Sequence, residues 1–481
     1  MSISGALSNA MTGLRAAGRA SQVVSSNISN AMTPGYGVRS LSLSSSMLGG
    51  VQIDGIARKA NPAIIADYRL ATADHGQASD RMAFLGQLES LVGTPENPAS
   101  LSARIAKFES SLISAASRPD APERLTAALY AAQDVMSVLG QASQGLQTAR
   151  SAADQQIDAQ VNALNTGLGQ VRDLNAQITK ALSQGADTSA LQDMRQQIVD
   201  DLNAIVPMRQ LQRDNGKVAL YSTGGAILLD GTAATVSFDP SNQITAYQSI
   251  GAGTLSGLEI NGVPIRTDSV KGALIGGTLG AQFEIRDELA PQAQSQLDAL
   301  ARDLMERFED PAVDPSLLPG DPGLFTDGGL AFDPLAETGL AGRLTLNPAV
   351  DPAQGGQAWR LRDGLNAATQ GNVGDARQLQ RLSDTLTAAR TPLSGSFGGT
   401  AFTASTLTAN FTSQIGTDIA AGEGHLSFAS TRLASLTQAI LAEGVDTDHE
   451  MQRLMQIEQA FAANARMIEA VDEMMQTLIR L

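Results

Sequence analysis

Positions on one face recur every seven residues along the first thirty residues of the chain. One row contains Leu7, Leu14, Ser21 and Ile28, and its companion row contains Ile3, Ala10, Ala17, Val24 and Ala31. This heptad pattern predicts a helix that ends near Ala31 and packs against a second helix. Because most of these side chains are small and bury little apolar area, the helix alone would be only marginally stable.

A matching pattern lies in the segment that follows Gly444. Its two rows are Leu454, Phe461, Ile468 and Met475, and Ile457, Asn464, Val471 and Leu478. Asp446 or Thr447 is placed to cap this helix. One interpretation is an amphipathic helix packed on its own domain. Weak heptad stripes near both ends of the chain favour a coiled coil between them.

The interior alternates between helical and β patterns. Helices are predicted over 62–92, 100–117, about 123–182, 189–204, 284–308, 375–390 and about 404–442. The third of these is preceded by Asp120, which with Glu123 has the spacing of a capping box, and its length is typical of a rod-like coiled-coil helix.

The β pattern begins after Pro207. Three short runs, KVALYSTGGAILLD, ATVSF and QITAYQSI, are rich in β-formers, and Asn215-Gly216, Asp230-Gly231 and Asn261-Gly262 are type I′ hairpin signals. From Asp310 to Pro352 the chain is rich in Pro, Gly and Asp, which predicts loops with short strands.

These patterns predict a mainly α fold with an inserted antiparallel β domain. We expect an elongated molecule in which the N- and C-terminal helices pair as a coiled coil, followed by a long helical rod and a β-rich outer domain. Four domains are predicted. The terminal coiled coil consists of 1–50 with 443–481, and the helical rod consists of 51–206 with 284–309 and 370–442. The β-rich insert is 207–283, and the loop-rich region is 310–369, for which one assignment is to an outer domain.

Charge and composition narrow the classes of function. The net charge is −16, from 33 Lys and Arg against 49 Asp and Glu, so we expect no nucleic-acid and no anionic-membrane partner. The absence of cysteine excludes disulfides, thiolate metal sites and cysteine nucleophiles. No apolar run approaches the roughly 20 residues of a membrane span, and the first residues do not have the pattern of a secretory signal peptide.

Catalytic motifs are missing from the sequence. His75, His425 and His449 do not have metal-ligand spacing, and there is no GxSxG elbow or P-loop. The stretch DPGLFTDGGLAFDP has spaced aspartates but not the ligand pattern of a calcium loop. We therefore expect no catalytic, cofactor-binding or metal-binding residues, and no enzyme activity.

The segment SSNISNAMTPGYGVRS, from Ser25 to Ser40, is the most specific string in the chain. Asn and Thr-Pro-Gly residues suit a helix end followed by a turn. The segment resembles the N-terminal signature of flagellar rod, hook and hook-associated proteins. The matching residues are Asn27, Ile28, Asn30, Thr33, Pro34, Gly35 and Tyr36, whereas Ser26 stands where that family often has Asn.

Two further parts of the sequence extend this resemblance. The segment around Phe461, Ala463, Asn464 and Ala465 is similar to the terminal helix of the same proteins, and most of 80–305 resembles the hook-associated protein 1 family of the hook–filament junction. The alternatives are another axial flagellar protein, such as hook-associated protein 3 or the hook protein, and, from a different class, an extracellular enzyme with a site in the β insert.

The resemblance implies a structural role in the bacterial flagellum. Such a protein would be exported by the flagellar type III apparatus without a cleaved signal peptide, and would be extracellular, at the hook–filament junction. Its partners would be further copies of itself, the hook protein, the second junction protein and an export chaperone at the C-terminal segment. The assembly interface expected is Leu7, Leu14, Val24, Asn27, Ile28, Asn30, Pro34, Gly35, Tyr36, Leu454, Ile457, Phe461, Asn464, Ile468, Val471, Met475 and Leu478.

Overall fold

The computed structural model describes residues 3–33, 35–47 and 49–480. Its helices are α1 (Ile3–Ser29), α2 (Pro62–Val92), α3 (Leu101–Ser117), α4 (Pro122–Ser183), α5 (Ser189–Ile205), α6 (Gly277–Glu284), α7 (Ala290–Phe308), α8 (Arg360–Asp363), α9 (Arg377–Thr387), α10 (Ala404–Ala442) and α11 (Thr447–Arg480). Its strands are β1 (Val38–Ser45), β2 (Val51–Lys59), β3 (Met208–Gln212), β4 (Val218–Ser222), β5 (Ile227–Asp230), β6 (Thr232–Ala233), β7 (Val236–Ser237), β8 (Leu258–Ile260), β9 (Val263–Ile265), β10 (Phe325–Asp327) and β11 (Leu344–Leu346). The ladders between these strands are antiparallel, so the predicted fold class is confirmed.

Helix α4 is the long axis of the molecule. Its 62 residues correspond to about 90 Å at the α-helical rise, which makes the body elongated. The helix begins at Pro122. Its N-cap residue is Ala121, whose side chain makes no capping hydrogen bond. The capping box predicted from Asp120 is therefore wrong, because Asp120 lies one residue before the N-cap.

Two hydrophobic cores lie along α4, one against each half. The first half, from Leu125 to Ala153, packs with α3, α7, α9 and the start of α10. The second half, from Ile157 to Val171, packs with α5, α6 and the strands β3–β8. One continuous helix thus connects the helical body to the β-rich part.

Buried charges separate the two cores. Arg286, which is fully buried, donates to Asp154 Oδ1 over 2.6 Å and to both carboxylate oxygens of Asp287 over 2.9 Å. Arg150 donates its Nε–H to the Arg286 carbonyl over 2.9 Å. Burial raises the pKa of Asp287 and lowers the pKa of Arg150, so this polar layer is costly unless every partner is present.

The β-rich part is attached to α4 by two asparagines. Asn165 donates to the carbonyl of Val236 and accepts from its N–H, at 2.7 and 2.9 Å, and Asn175 does the same to Val218 at 2.9 and 3.1 Å. Both amides thus substitute for a neighbouring strand, which fixes the strands to the helix.

Two of the three predicted type I′ turns are confirmed. Asn215-Gly216 and Asn261-Gly262 have positive φ at both positions, as this turn requires. At Asp230-Gly231 only the glycine does, so the third prediction is wrong.

The strand predicted within 243–250 is also absent. The carbonyls of Thr245 and Gln248 accept hydrogen bonds from Arg150, and the N–H of Ile244 donates to Ser151 Oγ over 3.0 Å. Because α4 side chains satisfy this backbone, it does not need a strand partner.

Region 310–369 packs on the helical body. Phe325 is fully buried, with its ring 5.7 Å from that of Phe108 and 5.3 Å from that of Phe308. Leu340, Val350 and other apolar residues of the region belong to the same core. The region thus covers α3, α4 and α7, because its apolar residues close that core.

A β-hairpin that the sequence analysis did not anticipate follows α1. Strands β1 and β2 pair from Val38↔Lys59 to Ser45↔Val51. The boundary predicted between 1–50 and 51–206 falls in the turn of this hairpin. The domain division stays a prediction.

Candidate assembly interface

Helix α1 packs along α11 and against the β1–β2 hairpin. The companion row of its heptad pattern is the most deeply covered, with Ala10 1%, Ala17 8% and Val24 2% exposed. Leu7, Leu14 and Ile28 are half-buried. The small side chains therefore form the centre of the contact and the larger ones its edge.

Helix α11 presents a narrower covered stripe. Val471 is buried, and Leu454, Ile457, Asn464 and Ile468 are half-buried. Phe461, Met475 and Leu478 are 43%, 42% and 59% exposed. The structure covers the first group and leaves the second group exposed to solvent.

The two helices approach closely at Gly13. A Cβ atom at this position would lie 2.8 Å from Asn464 Oδ1 and 3.0 Å from its Cγ. Asn464 donates its amide to the carbonyl of Ala460, four residues earlier in the same helix, over 2.9 Å. Gly13 therefore lets the backbone of α1 come close to a polar side chain of α11.

Helix α11 leaves many apolar side chains uncovered. Besides the three residues above, the exposed side chains are Met451, Met455, Met467, Met474 and Ile479. Methionine side chains are flexible and adapt to varied partners. The sequence analysis did not select these methionines, although four of them within one amphipathic helix were a visible signal.

The signature segment forms a clamp around Asn27, which is fully buried. Its Oδ1 accepts from the Tyr36 hydroxyl over 2.9 Å and from the Arg39 N–H over 3.0 Å, and its Nδ2 donates to the Arg39 carbonyl over 2.8 Å. The Arg39 guanidinium lies 4.7 Å from the centre of the Tyr36 ring. The clamp therefore joins the end of α1 to the start of β1.

Asp193 of α5 anchors this clamp to the body. Its carboxylate accepts from Arg39 Nη2 over 2.9 Å, from Arg58 Nε over 2.6 Å and from the Gly37 N–H over 3.2 Å. The sequence analysis missed Asp193, Arg39 and Arg58, because residues far apart in the chain carry no local pattern that relates them.

The remaining signature residues shape the turn. Asn30 donates its amide to the Ser26 carbonyl over 2.9 Å, and Gly35 has a φ of +76°, which glycine adopts without strain. Pro34 lies outside the described residues.

The spaced aspartates of DPGLFTDGGLAFDP have structural partners. Asp327 forms an ion pair with Arg343 at 2.8 Å, Asp321 accepts from the Leu318 N–H over 2.8 Å, and Asp333 accepts from the Leu335 N–H over 2.9 Å. Within the described ranges, no group of three or more His, Asp or Glu side chains is arranged to hold a metal ion.

Three family models match the chain. The helical domain of the flagellar hook-associated protein FlgK matches residues 85–313, the flagella basal body rod protein model matches 7–36, and the C-terminal model of the basal body rod FlgEFG proteins matches 437–481. The rod-protein models thus fall on α1 and α11, the two helices that pair.

Individual relatives give the same result. Flagellar hook-associated protein 1 of Escherichia coli (strain K12) is 26% identical over 323 residues, and that of Salmonella typhimurium is 27% identical over 323 residues. These alignments cover 64% of this chain and 56% of each relative, so the chain spans little more than half the length of either. Flagellar hook-associated protein 1 of Bacillus subtilis (strain 168) is 22% identical over 98% of this chain and 97% of its own. A solved structure, the flagellar hook junction protein FlgK from Burkholderia pseudomallei, has a TM-score of 0.44 at 22% identity, covering 55% of this chain and 47% of that one.

The paired terminal helices and the three family models define the class of flagellar axial proteins. Within this class, the chain is similar to the family of flagellar hook-associated protein 1. That family consists of structural proteins of the flagellum.

Proposed function

We propose that this protein is a structural component of the bacterial flagellum at the junction between hook and filament. The observation that carries the proposal is the apolar surface that α11 leaves uncovered. The helix packs along α1, yet Met455, Phe461, Met467 and Leu478 stay 55%, 43%, 48% and 59% exposed. A concentration of exposed apolar side chains on one helix is typical of a surface that is completed by another protein.

The mechanism is coupled ordering and assembly. Ordering a residue costs roughly 1–2 kcal/mol, and the small side chains of the α1–α11 contact offset only part of this. Burying the exposed apolar side chains of α11 against neighbouring copies supplies the remainder. Head-to-tail contacts between copies generate a tube when they do not close on themselves.

The partners follow from this position. One end of the assembled layer contacts the hook protein, the other contacts the second junction protein, and the sides contact further copies of this chain. Before assembly, an export chaperone covers the exposed apolar face of α11. Flexible methionines suit a face that meets a chaperone first and a neighbouring copy later.

The location follows from the same role. The protein lies outside the cell in the flagellum, and reaches that place through the flagellar export channel without a cleaved signal peptide. In the described part of the chain, no helix combines the length and the apolar character needed to cross a bilayer.

Deletion of the gene tests the proposal. Cells that lack the protein should build hooks, form no filament and release unpolymerised filament subunits into the medium, and a plasmid copy should restore filaments. Normal filaments in the deletion strain would contradict the junction role. Absence of hooks would place the protein earlier in assembly than proposed.

A further inference from the structure

A cavity of about 220 Å³ lies where the end of β2 and the start of α2 meet α5 and β3. Three arginines line it: Arg58, Arg69 and Arg195. The polar residues among the remaining lining are glutamines, at 192, 196, 210 and 212, and among the described residues no Asp or Glu lines the cavity. The charge on the walls is therefore positive, and the other lining residues are apolar or glycine.

The carboxylates around this cavity do not balance its arginines. Asp193 is shared, since it pairs with Arg58 at 2.6 Å and with Arg39 at 2.9 Å. Asp200 pairs with Arg69 at 2.5 Å. Among the described residues, no carboxylate lies within 4.0 Å of Arg195. Four guanidinium groups thus share two carboxylates.

Arg195 is the unusual member, because it is only 7% exposed and has neutral partners. Its Nη1 donates to Asn175 Oδ1 over 2.8 Å and to the Gly216 carbonyl over 2.7 Å. Burial, with repulsion from Arg58 in second place, lowers the pKa of Arg195 to about 10. A buried cation without an anionic partner destabilises a fold unless a counter-charge reaches it.

Each of the three arginines also keeps donor capacity. Within the described part of the chain, Arg58 Nη1, Arg69 Nη2 and Arg195 Nη2 have no hydrogen-bond acceptor. None of these nitrogens is sealed from solvent. They are therefore accessible to a ligand that enters the cavity.

We propose that this cavity binds a small, doubly charged oxyanion of the phosphate or sulfate type. Charge-assisted hydrogen bonds from guanidinium groups are the strongest that such an anion forms with protein side chains. A water molecule occupies about 30 Å³ in the liquid, so the cavity has room for a tetrahedral oxyanion and part of its hydration shell.

The anion would connect two parts of the molecule. Arg58 and Arg69 belong to β2 and α2, whereas Arg195 belongs to α5. Binding replaces repulsion between Arg58 and Arg195 by a shared counter-ion, and so fastens the β1–β2 hairpin to the body. The proposal of an anion site is independent of the proposed role at the hook–filament junction.

Titration of the full chain with inorganic phosphate tests the proposal. In a chloride buffer of constant ionic strength, calorimetry should show one phosphate bound per chain with saturation in the millimolar range, and sulfate should compete. Arg195→Gln should weaken phosphate binding at least tenfold, since it removes the unpaired charge. Arg118→Gln removes a surface arginine elsewhere and should leave binding unchanged.

Thermal unfolding of the wild-type chain provides a second test of phosphate binding, which does not require the Arg195→Gln variant. The unfolding temperature of the wild-type chain should rise with phosphate and level off, as expected for a ligand that binds the native state. A linear dependence that chloride reproduces, or calorimetry without a saturable site, would overturn the proposal. Equal phosphate affinity in a folded Arg195→Gln variant would overturn it as well.

Discussion

A single buried amide determines how the N-terminal helix is connected to the rest of the molecule. Asn27 makes three hydrogen bonds to Tyr36 and Arg39, and no solvent reaches it to replace them. The sequence singled out Asn27 and Tyr36 as signature residues, and assigned them to an interface between molecules. In the structure they are bonded to each other, so their contribution to assembly would act through the position of α1.

We predict that Asn27→Ala releases the β1–β2 hairpin. Each buried polar group left without a partner costs about 1–3 kcal/mol, so the opening free energy of the hairpin should fall by about 2–4 kcal/mol. Amide hydrogen exchange across 38–59 measures this directly. The matched control is Asn30→Ala, since Asn30 is half-buried, donates one hydrogen bond to the Ser26 carbonyl and accepts one from the exposed Thr33 hydroxyl. Equal exchange in both variants would contradict the clamp.

The buried ion pair between the two cores gives a second prediction. Asp154→Ala leaves the fully buried Arg286 without its 2.6 Å partner, and breaking such a pair costs about 3–5 kcal/mol. The midpoint of urea unfolding should fall accordingly.

The control for this prediction lies on the same helix. Asp173 pairs with Arg172 at 2.8 Å, but both side chains are more than half exposed. Asp173→Ala should therefore change the unfolding free energy by less than about 1 kcal/mol. If the two variants unfold at the same urea concentration, the buried charge layer is not a structural determinant.

At the scale of elements, periodicity in the sequence predicted helices better than strands. The boundaries expected for α2, α3 and α5 agree closely with the structure, because a 3.6-residue period persists over many turns. The hairpin β1–β2 was missed even though Leu41 and Leu43 alternate with serines, since a strand of eight residues gives a weak period. The strand expected within 243–250 failed for the opposite reason: tertiary contacts to Arg150 overrode a local β preference.

The pairing of α1 with α11 depends on close approach at Gly13. We predict that Gly13→Leu separates the helices, because its Cβ alone would lie 2.8 Å from Asn464. Limited proteolysis of the purified chain should then cut within α11 at least tenfold faster. Gly18→Leu is the control, because no atom of the described residues lies within 4 Å of a Cβ placed there. Equal protection in both variants would contradict the close contact.

The covered and the exposed residues of α11 predict separate consequences of mutation. Val471→Asp places a charge at a position that is 2% exposed, and should unpair the helices in the isolated chain. Phe461→Ala alters a side chain that is 43% exposed, so the chain should keep its circular dichroism and protease protection while incorporation into flagella falls sharply. Incorporation is measured by immunoblot of purified flagella.

The result for Phe461→Ala also tests whether the exposed apolar surface of α11 takes part in assembly. If flagella with this variant contain normal amounts of the protein, that surface is not an assembly surface. If the isolated variant unfolds instead, Phe461 belongs to the intramolecular contact despite being 43% exposed.

At the scale of the whole molecule, one long helix joins two cores, and the paired helices α1 and α11 join the body through the β1–β2 hairpin and through α10. The attachment through the hairpin depends on Asp193, Asn27 and the arginines around them. Sequence could indicate the paired ends and the β insert, because both are patterns of local composition. It could not indicate the attachment, the two cores or the cover formed by 310–369, because these arise from contacts between distant residues.

The central claim is that α1 and α11 are partners in the assembled flagellum as they are in the isolated chain. Since the chain has no cysteine, the pair Gly13→Cys with Asn464→Cys places two unique thiols at the closest contact. Isotopically labelled and unlabelled subunits of this variant are mixed before assembly. The assembled flagella are then purified, oxidised and analysed by peptide mass spectrometry. The pair Gly18→Cys with Asn464→Cys is the control. The account predicts a 13–464 disulfide within single chains and none in the control; thiols that stay reduced in assembled flagella, or that join different chains only, would contradict it.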